Sequence, residues 1–128
     1  MDVQVFKCNP GVAAECTTVF PPNDPIFAGH FAGDPLVPGV ILTEALAETA
    51  KIAAGSGTSS DEHASFVLSA VQQMKFFAPV RPAEEVTLHA QRLGEANTQL
   101  QFQVTARVAG KEVAAGQVVF SVKGLAGN

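Results

Sequence analysis

Positive charge is scarce in this chain: 8 Lys and Arg are spread thinly along 128 residues, and the net charge is -4. A nucleic-acid surface needs clustered positive charge, so that class of partner is excluded, and an acidic protein partner has to be met by a small local patch. Long hydrophobic runs are missing as well. No window approaches the roughly 20 consecutive apolar residues of a membrane-spanning helix, and the opening MDVQVFKCNP lacks the basic segment and apolar stretch of a signal peptide. A cytoplasmic protein without a membrane segment is therefore expected. Cysteine is nearly absent, with only Cys8 and Cys16, which form no CxxC pair and have no histidines at zinc-ligand spacing. If NPG at 9–11 turns a hairpin, Cys8 lies beside the turn and Cys16 pairs further down, near Gln4. Two buried or half-buried thiols are then expected in place of a disulfide.

What remains is an ordinary globular composition, 47% hydrophobic and 16% charged. The length fits one domain over 1–128 with a single core, one that a second subunit could complete. VQVFK and VAAECTTVF flank the turn and predict an N-terminal hairpin. FPPNDPIFAGHFAGDPLVPG follows, and its five prolines and three glycines exclude a long regular element, leaving a shaped loop with room for one short helical turn. From Pro38 to about Ala54 the chain is apolar almost all round, which predicts a buried helix. Pro38 suits its first turn and Gly55 its stop, with SGTSSDE as a flexible link.

Beyond the link the period changes to two. In QLQFQVTARVA, Leu100, Phe102, Val104, Ala106 and Val108 share one face while Gln99, Gln101, Gln103, Thr105 and Arg107 share the other, as in a half-solvated antiparallel strand. Similar runs at 65–77, 85–93 and 112–122 are separated by short, turn-forming segments, so the last three strands should form a meander. One apolar helix followed by antiparallel strands indicates an α+β arrangement in which a sheet wraps a helix.

Few residues can carry chemistry. Glu44 is an acid on an otherwise apolar helix. Residues alone favour a solvent-edge position, with Glu48 and Lys51 as a surface pair nearby; burial would instead favour the protonated acid that a general acid requires. His30 sits in the Gly- and Pro-rich loop fourteen residues earlier. His89 alternates outward on a strand, and His63 follows Asp61 and Glu62 in the link. None of the three histidines has ligand spacing, so no metal is expected. Gly29, Gly33 and Gly39 lack the preceding strand of a nucleotide fingerprint, and there is no G-x-S-x-G elbow. No cofactor is expected.

Taken whole, GHFAGDPLVPGVILTEALAE resembles the motif of the beta-hydroxyacyl-acyl carrier protein dehydratases, the FabZ and FabA type, in which G-H-F-P-x-x-P-x-x-P-G-V precedes a helix bearing E-A-x-A-Q. Gly29, His30, Phe31, Pro35, Pro38, Gly39, Val40, Glu44, Ala45 and Ala47 stand at matching places. MKFFAPVRPAEEVTLHAQ and AGKEVAAGQVVFSV extend the likeness over about residues 12–122. Ala32 stands where Pro is usual, Glu48 where Gln is usual, and Phe77 and Ala78 where basic residues are frequent.

The resemblance implies the hotdog fold, a curved antiparallel sheet wrapped around a long central helix. It also implies a homodimer in which each site takes its histidine from one subunit and its acid from the other. The substrate would be a 3-hydroxyacyl thioester on acyl carrier protein or coenzyme A, in fatty-acid or polyketide/polyene-type synthesis. His30, with a reference pKa of about 6.5, would be the base for the C2 proton and Glu44 the acid for the C3 hydroxyl. The N–H groups of Gly39 and Val40 at the helix start would hold the carbonyl. Lys75, Arg81 and Arg92 are candidates for meeting an acidic carrier protein. A hotdog thioesterase and a non-catalytic acyl-binding subunit are the alternatives.

Overall fold

A computed structural model describes residues 3–27, 35–55, 65–96 and 99–123. The link at 56–64 and the loop carrying His30 at 28–34 lie outside the described residues. The elements are β1 (Gln4–Asn9), β2 (Ala13–Val19), a short 3-10 turn (Pro25–Phe27), α1 (Gly39–Ala53), β3 (Ser65–Phe76), β4 (Glu85–Ala96), β5 (Gln99–Val108) and β6 (Lys111–Lys123). The strands form one antiparallel sheet in the order β1-β2-β4-β5-β6-β3. The expected N-terminal hairpin, single helix and closing meander are all present.

Turn chemistry fixes the hairpins. Gly11 takes a positive φ of 83° in the β1–β2 turn, where Val12 N–H donates to Asn9 O at 2.9 Å. Ala109 and Gly110, at φ 53° and 82°, make the β5–β6 turn, the paired positive φ that suits the right-handed twist of the flanking strands.

Alternation then decides which face meets the helix. Val86, Leu88 and Ala90 of β4, Phe102, Val104 and Ala106 of β5, and Val118 and Phe120 of β6 are buried on the inner face. Phe102 and Phe120 pack edge to face with centroids 6.2 Å apart. Across this surface lies α1, mainly over β4 and β2, and its small Ala45, Ala50 and Ala53 are fully buried. Thr49, also fully buried, satisfies its hydroxyl by donating to Ala45 O at 3.0 Å.

Both helix ends are tied down. Pro38 takes the N-cap position without a side-chain cap, and its carbonyl accepts from Ile41 and Leu42 N–H. At the other end Gly55 takes φ 92°, the left-handed residue that commonly stops a helix. The hairpin turn joins in, with Gly11 N–H donating to Ala53 O at 2.7 Å and the Cys8 thiol lying 3.7 Å from Ile52 O.

Two expectations are corrected. The helix is apolar nearly all round, yet only one side is covered: Glu44 and Glu48 are exposed, and Val40 is 67% exposed. Cys8 is exposed while Cys16 is buried, and both are free thiols. Cys8 differs because β1 is an edge strand whose residues are all exposed. Burial pushes the Cys16 thiol above its ordinary value, an effect that the neighbouring Thr49 hydroxyl partly offsets.

β3 reaches the far edge beside β6 by passing two irregularities in pairing, the second between Gln72 and Lys75. There the Met74 backbone crosses close over Gly116: a Cβ at 116 would lie 2.7 Å from Met74 Cα. Gly116→Ala must therefore shift backbone, and a loss of about 1–3 kcal/mol is expected. Gly94→Ala, with nothing within 4 Å of the added carbon, serves as the comparison. Denaturant melts of the two variants check the difference.

Candidate active site

The outward side of α1 carries the acid. Leu42, Ala45, Leu46, Thr49, Ala50 and Ala53 face the sheet, so the 100° turn per residue places Val40, Glu44, Glu48 and Lys51 on the opposite side. Glu44 borders two cavities. One, of about 400 Å³, is walled by Thr18, Phe20, Asp24 and Ile26 from β2 and the loop after it, together with Ile41. The other, of about 560 Å³, lies between α1 and the sheet edge, where Val40, Ala47, Leu68, Val71 and Phe120 supply apolar walls. Glu44 is thus a carboxyl on the ridge between two hollows. Its exposure agrees with the reading of the residues alone.

Among the described residues, no side chain caps the start of α1. The first N–H groups of a helix have no intrahelical acceptor, and Pro38 offers no side chain to cap them. Thr43 turns its hydroxyl back onto Gly39 O at 2.9 Å and so steadies the first turn. Gly39 is held close by aromatic surface: a Cβ there would stand 3.0 Å from Phe76 Cζ. Lack of a side chain lets the Phe76 ring pack this closely, and the helix dipole favours negative charge at this end. Leu36, Leu42, Phe76, Phe77 and Val80 wall an apolar cavity of about 370 Å³ at the same place. The segment leading into the helix is anchored by Val37 N–H donating to Val80 O at 2.8 Å.

Gly39 and Glu44 are roughly 7.5 Å apart along the helix axis. An anion-receptive end and a carboxyl on one rod can serve a carbonyl and a nearby leaving group. His30 lies outside the described residues. His89 is on the outer face of the sheet, cross-strand from Glu15, which in turn faces Lys7.

The basic candidates are dispersed. Lys75 is exposed on the outer face opposite Ala115. Arg81 is exposed after β3, where its backbone N–H donates to Glu84 Oε1 at 2.7 Å. Arg92 is half-buried, and its Nη1 donates to Gly11 O at 3.3 Å, bracing the hairpin turn. Phe76 escaped the sequence reading. Its contact with Gly39 spans 37 positions and depends on pairing irregularities in β3 that no local signal reveals.

One central helix cradled by a curved antiparallel sheet, with apolar hollows beside an acid, is the architecture of the hotdog proteins. Solved structures of that fold superpose on the chain. Those of the dehydratase heterocomplex ApeI:P from Xenorhabdus doucetiae match with a TM-score of 0.70 and 20% identity, covering 94% of this chain and 99% of that one. The fluoroacetyl-CoA thioesterase FlK matches with a TM-score of 0.75 and 16% identity, covering 91% and 89%. At such identities the likeness shows the fold alone.

Sequence goes further. The family model described as ApeI-like, ApeI dehydratase, matches residues 7–117. The 3-hydroxyacyl-[acyl-carrier-protein] dehydratase FabZ of Acetivibrio thermocellus is 33% identical over 119 residues, covering 93% of this chain and 81% of that protein. FabZ of Levilactobacillus brevis is 30% identical over 119 residues, covering 93% and 80%. The chain belongs to the ApeI-like dehydratase family, and as an enzyme it is a hydro-lyase.

Proposed function

We propose that this chain removes water from a (3R)-3-hydroxyacyl thioester carried on acyl carrier protein, giving a trans-2-enoyl thioester for fatty-acid or polyketide/polyene-type synthesis in the cytoplasm. The observation that carries the reading is Glu44 standing between two hollows on a helix whose start is open to an anion. His30 takes the C2 proton, and the electron pair forms the C2–C3 double bond as the C3–O bond breaks. The Glu44 carboxyl gives its proton to the departing oxygen, which leaves as water. Gly39 and Val40 N–H hold the charge that gathers on the thioester oxygen. Two side chains and two backbone donors suffice, so no cofactor is assigned.

The working unit is a homodimer. Among the described residues β3 ends the sheet and pairs only with β6; it exposes Val67, Leu68 and Val71 at 43% each, and Leu68 and Val71 share a groove with the exposed Val40 of α1. An apolar edge of this kind invites pairing with a second copy. A twofold pairing there would cover the outward side of α1 and let the histidine of one copy work with the glutamate of the other. Lys75 and Arg81, on the β3–β4 side, are the basic groups assigned to the carrier, with Arg92 a lesser one because it braces the turn.

The test is incubation with 3-hydroxyacyl thioesters on acyl carrier protein and on coenzyme A, with products resolved by mass. Loss of water with growth of the enoyl product is the expected result. Release of free thiol without an enoyl product would favour thioester hydrolysis, and binding without conversion a non-catalytic subunit; either result overturns the proposal.

A further inference from the structure

The 560 Å³ groove that Glu44 shares with the sheet edge has an uneven character along its length. Gly39 meets Phe76 at the end of β3, and Leu68 and Val71, earlier in the same strand, line the groove together with helix residues from Val40 to Lys51. Ala47, Leu68, Val71 and Phe120 make the walls apolar, yet Glu48 and Lys51 also line the groove. They stand one and two turns beyond Glu44 on the same side of the helix, roughly 6 Å and 10 Å further along its axis. Along the helix the groove thus runs from Val40 past the acid to a carboxyl and an amine at its last turns.

We propose that Glu48 and Lys51 are specificity residues that select acyl chains bearing a hydrogen-bonding group at their distal end. The proposal rests on the dehydratase reading, which puts C3 of the substrate at Glu44. A chain continuing from C3 along the trough lies on apolar walls for about one helical turn and then meets the charged pair. A plain alkyl end there strips water from the exposed Glu48 carboxylate and returns no hydrogen bond. A terminal hydroxyl restores one by donating to Glu48 or accepting from Lys51. Short chains end before the pair and escape the choice.

The experiment compares kcat/KM for the N-acetylcysteamine thioesters of 3-hydroxybutanoate, 3-hydroxydecanoate and 3,10-dihydroxydecanoate, so that carrier docking plays no part. Wild-type protein should favour the dihydroxy over the plain ten-carbon chain by about tenfold or more, the scale of one hydrogen bond to a charged group. Replacing both charges, Glu48→Gln with Lys51→Met, should abolish or reverse that preference. Should the double variant fail to fold by its thermal melt, Glu48→Gln alone carries the comparison. A wild-type ratio near one overturns the proposal, as does a ratio unchanged in the variant. So does an equal loss on all three substrates, which would place the pair at the thioester end. Turnover of the short substrate by the wild type keeps the dehydratase reading separate; without it that reading fails first, and this one with it.

Discussion

Glu44→Gln is expected to lower kcat for dehydration by about 10²–10⁴-fold, the usual contribution of a positioned general acid. Its stability should stay within about 0.5 kcal/mol of wild type, as befits an exposed position. Glutamine keeps the shape and the hydrogen-bonding reach of the side chain but has no proton to give the leaving oxygen. Because Glu44 is exposed and borders the two hollows without forming part of the buried face of α1, its loss opens no cavity in the core. KM should change little, since the groove walls are untouched, and a fall in kcat and kcat/KM together marks an interaction made only in the transition state. Steady-state kinetics with a 3-hydroxyacyl thioester, alongside a denaturant melt, separate the two effects. A variant that turned over at the wild-type rate would remove Glu44 from the chemistry.

Most of the elements were legible because each has a local cause. The two-residue alternation of QLQFQVTARVA and the Pro38 and Gly55 boundaries announce β5 and α1, and the structure places them at Gln99–Val108 and Gly39–Ala53. The hairpin β1–β2 and the meander β4–β5–β6 were legible as neighbours, but the place of β3 and the joining of β2 to β4 were not. β3 follows the helix in sequence yet lies next to β6 at the far edge, with β4 and β5 on the other side of β6, an arrangement decided by long-range packing that no periodicity encodes. The exposed flank of α1 was hidden for a related reason. Val40 is as apolar as Leu42, and only the position of the sheet determines that one is 67% exposed and the other 3%. At the site, the motif placed Glu44 and the open helix start in one short segment. The ring of Phe76 against Gly39 comes from the register of β3, which shifts twice along its pairing with β6.

Mixing two separately inactive proteins, His30→Ala and Glu44→Gln, under conditions of subunit exchange is expected to restore about a quarter of wild-type activity for a twofold dimer with shared sites. Random assortment makes half of the dimers mixed. In a mixed dimer the Glu44→Gln chain supplies an intact His30 and the His30→Ala chain an intact Glu44, so one site holds both groups and the other neither. If each chain instead used its own histidine and acid, every site in every combination would lack one of them, and mixing would restore nothing. The outcome therefore reports on geometry independently of either variant's own rate. The reason to expect recovery lies in the single chain: Val40, Glu44 and Glu48 occupy the side of α1 turned away from its own sheet, and the apolar edge of β3 adjoins it. A carboxyl on that side gains a dry, enclosed setting only when something covers it. A second copy pairing along β3 would cover it, which is the arrangement that the mixing experiment tests.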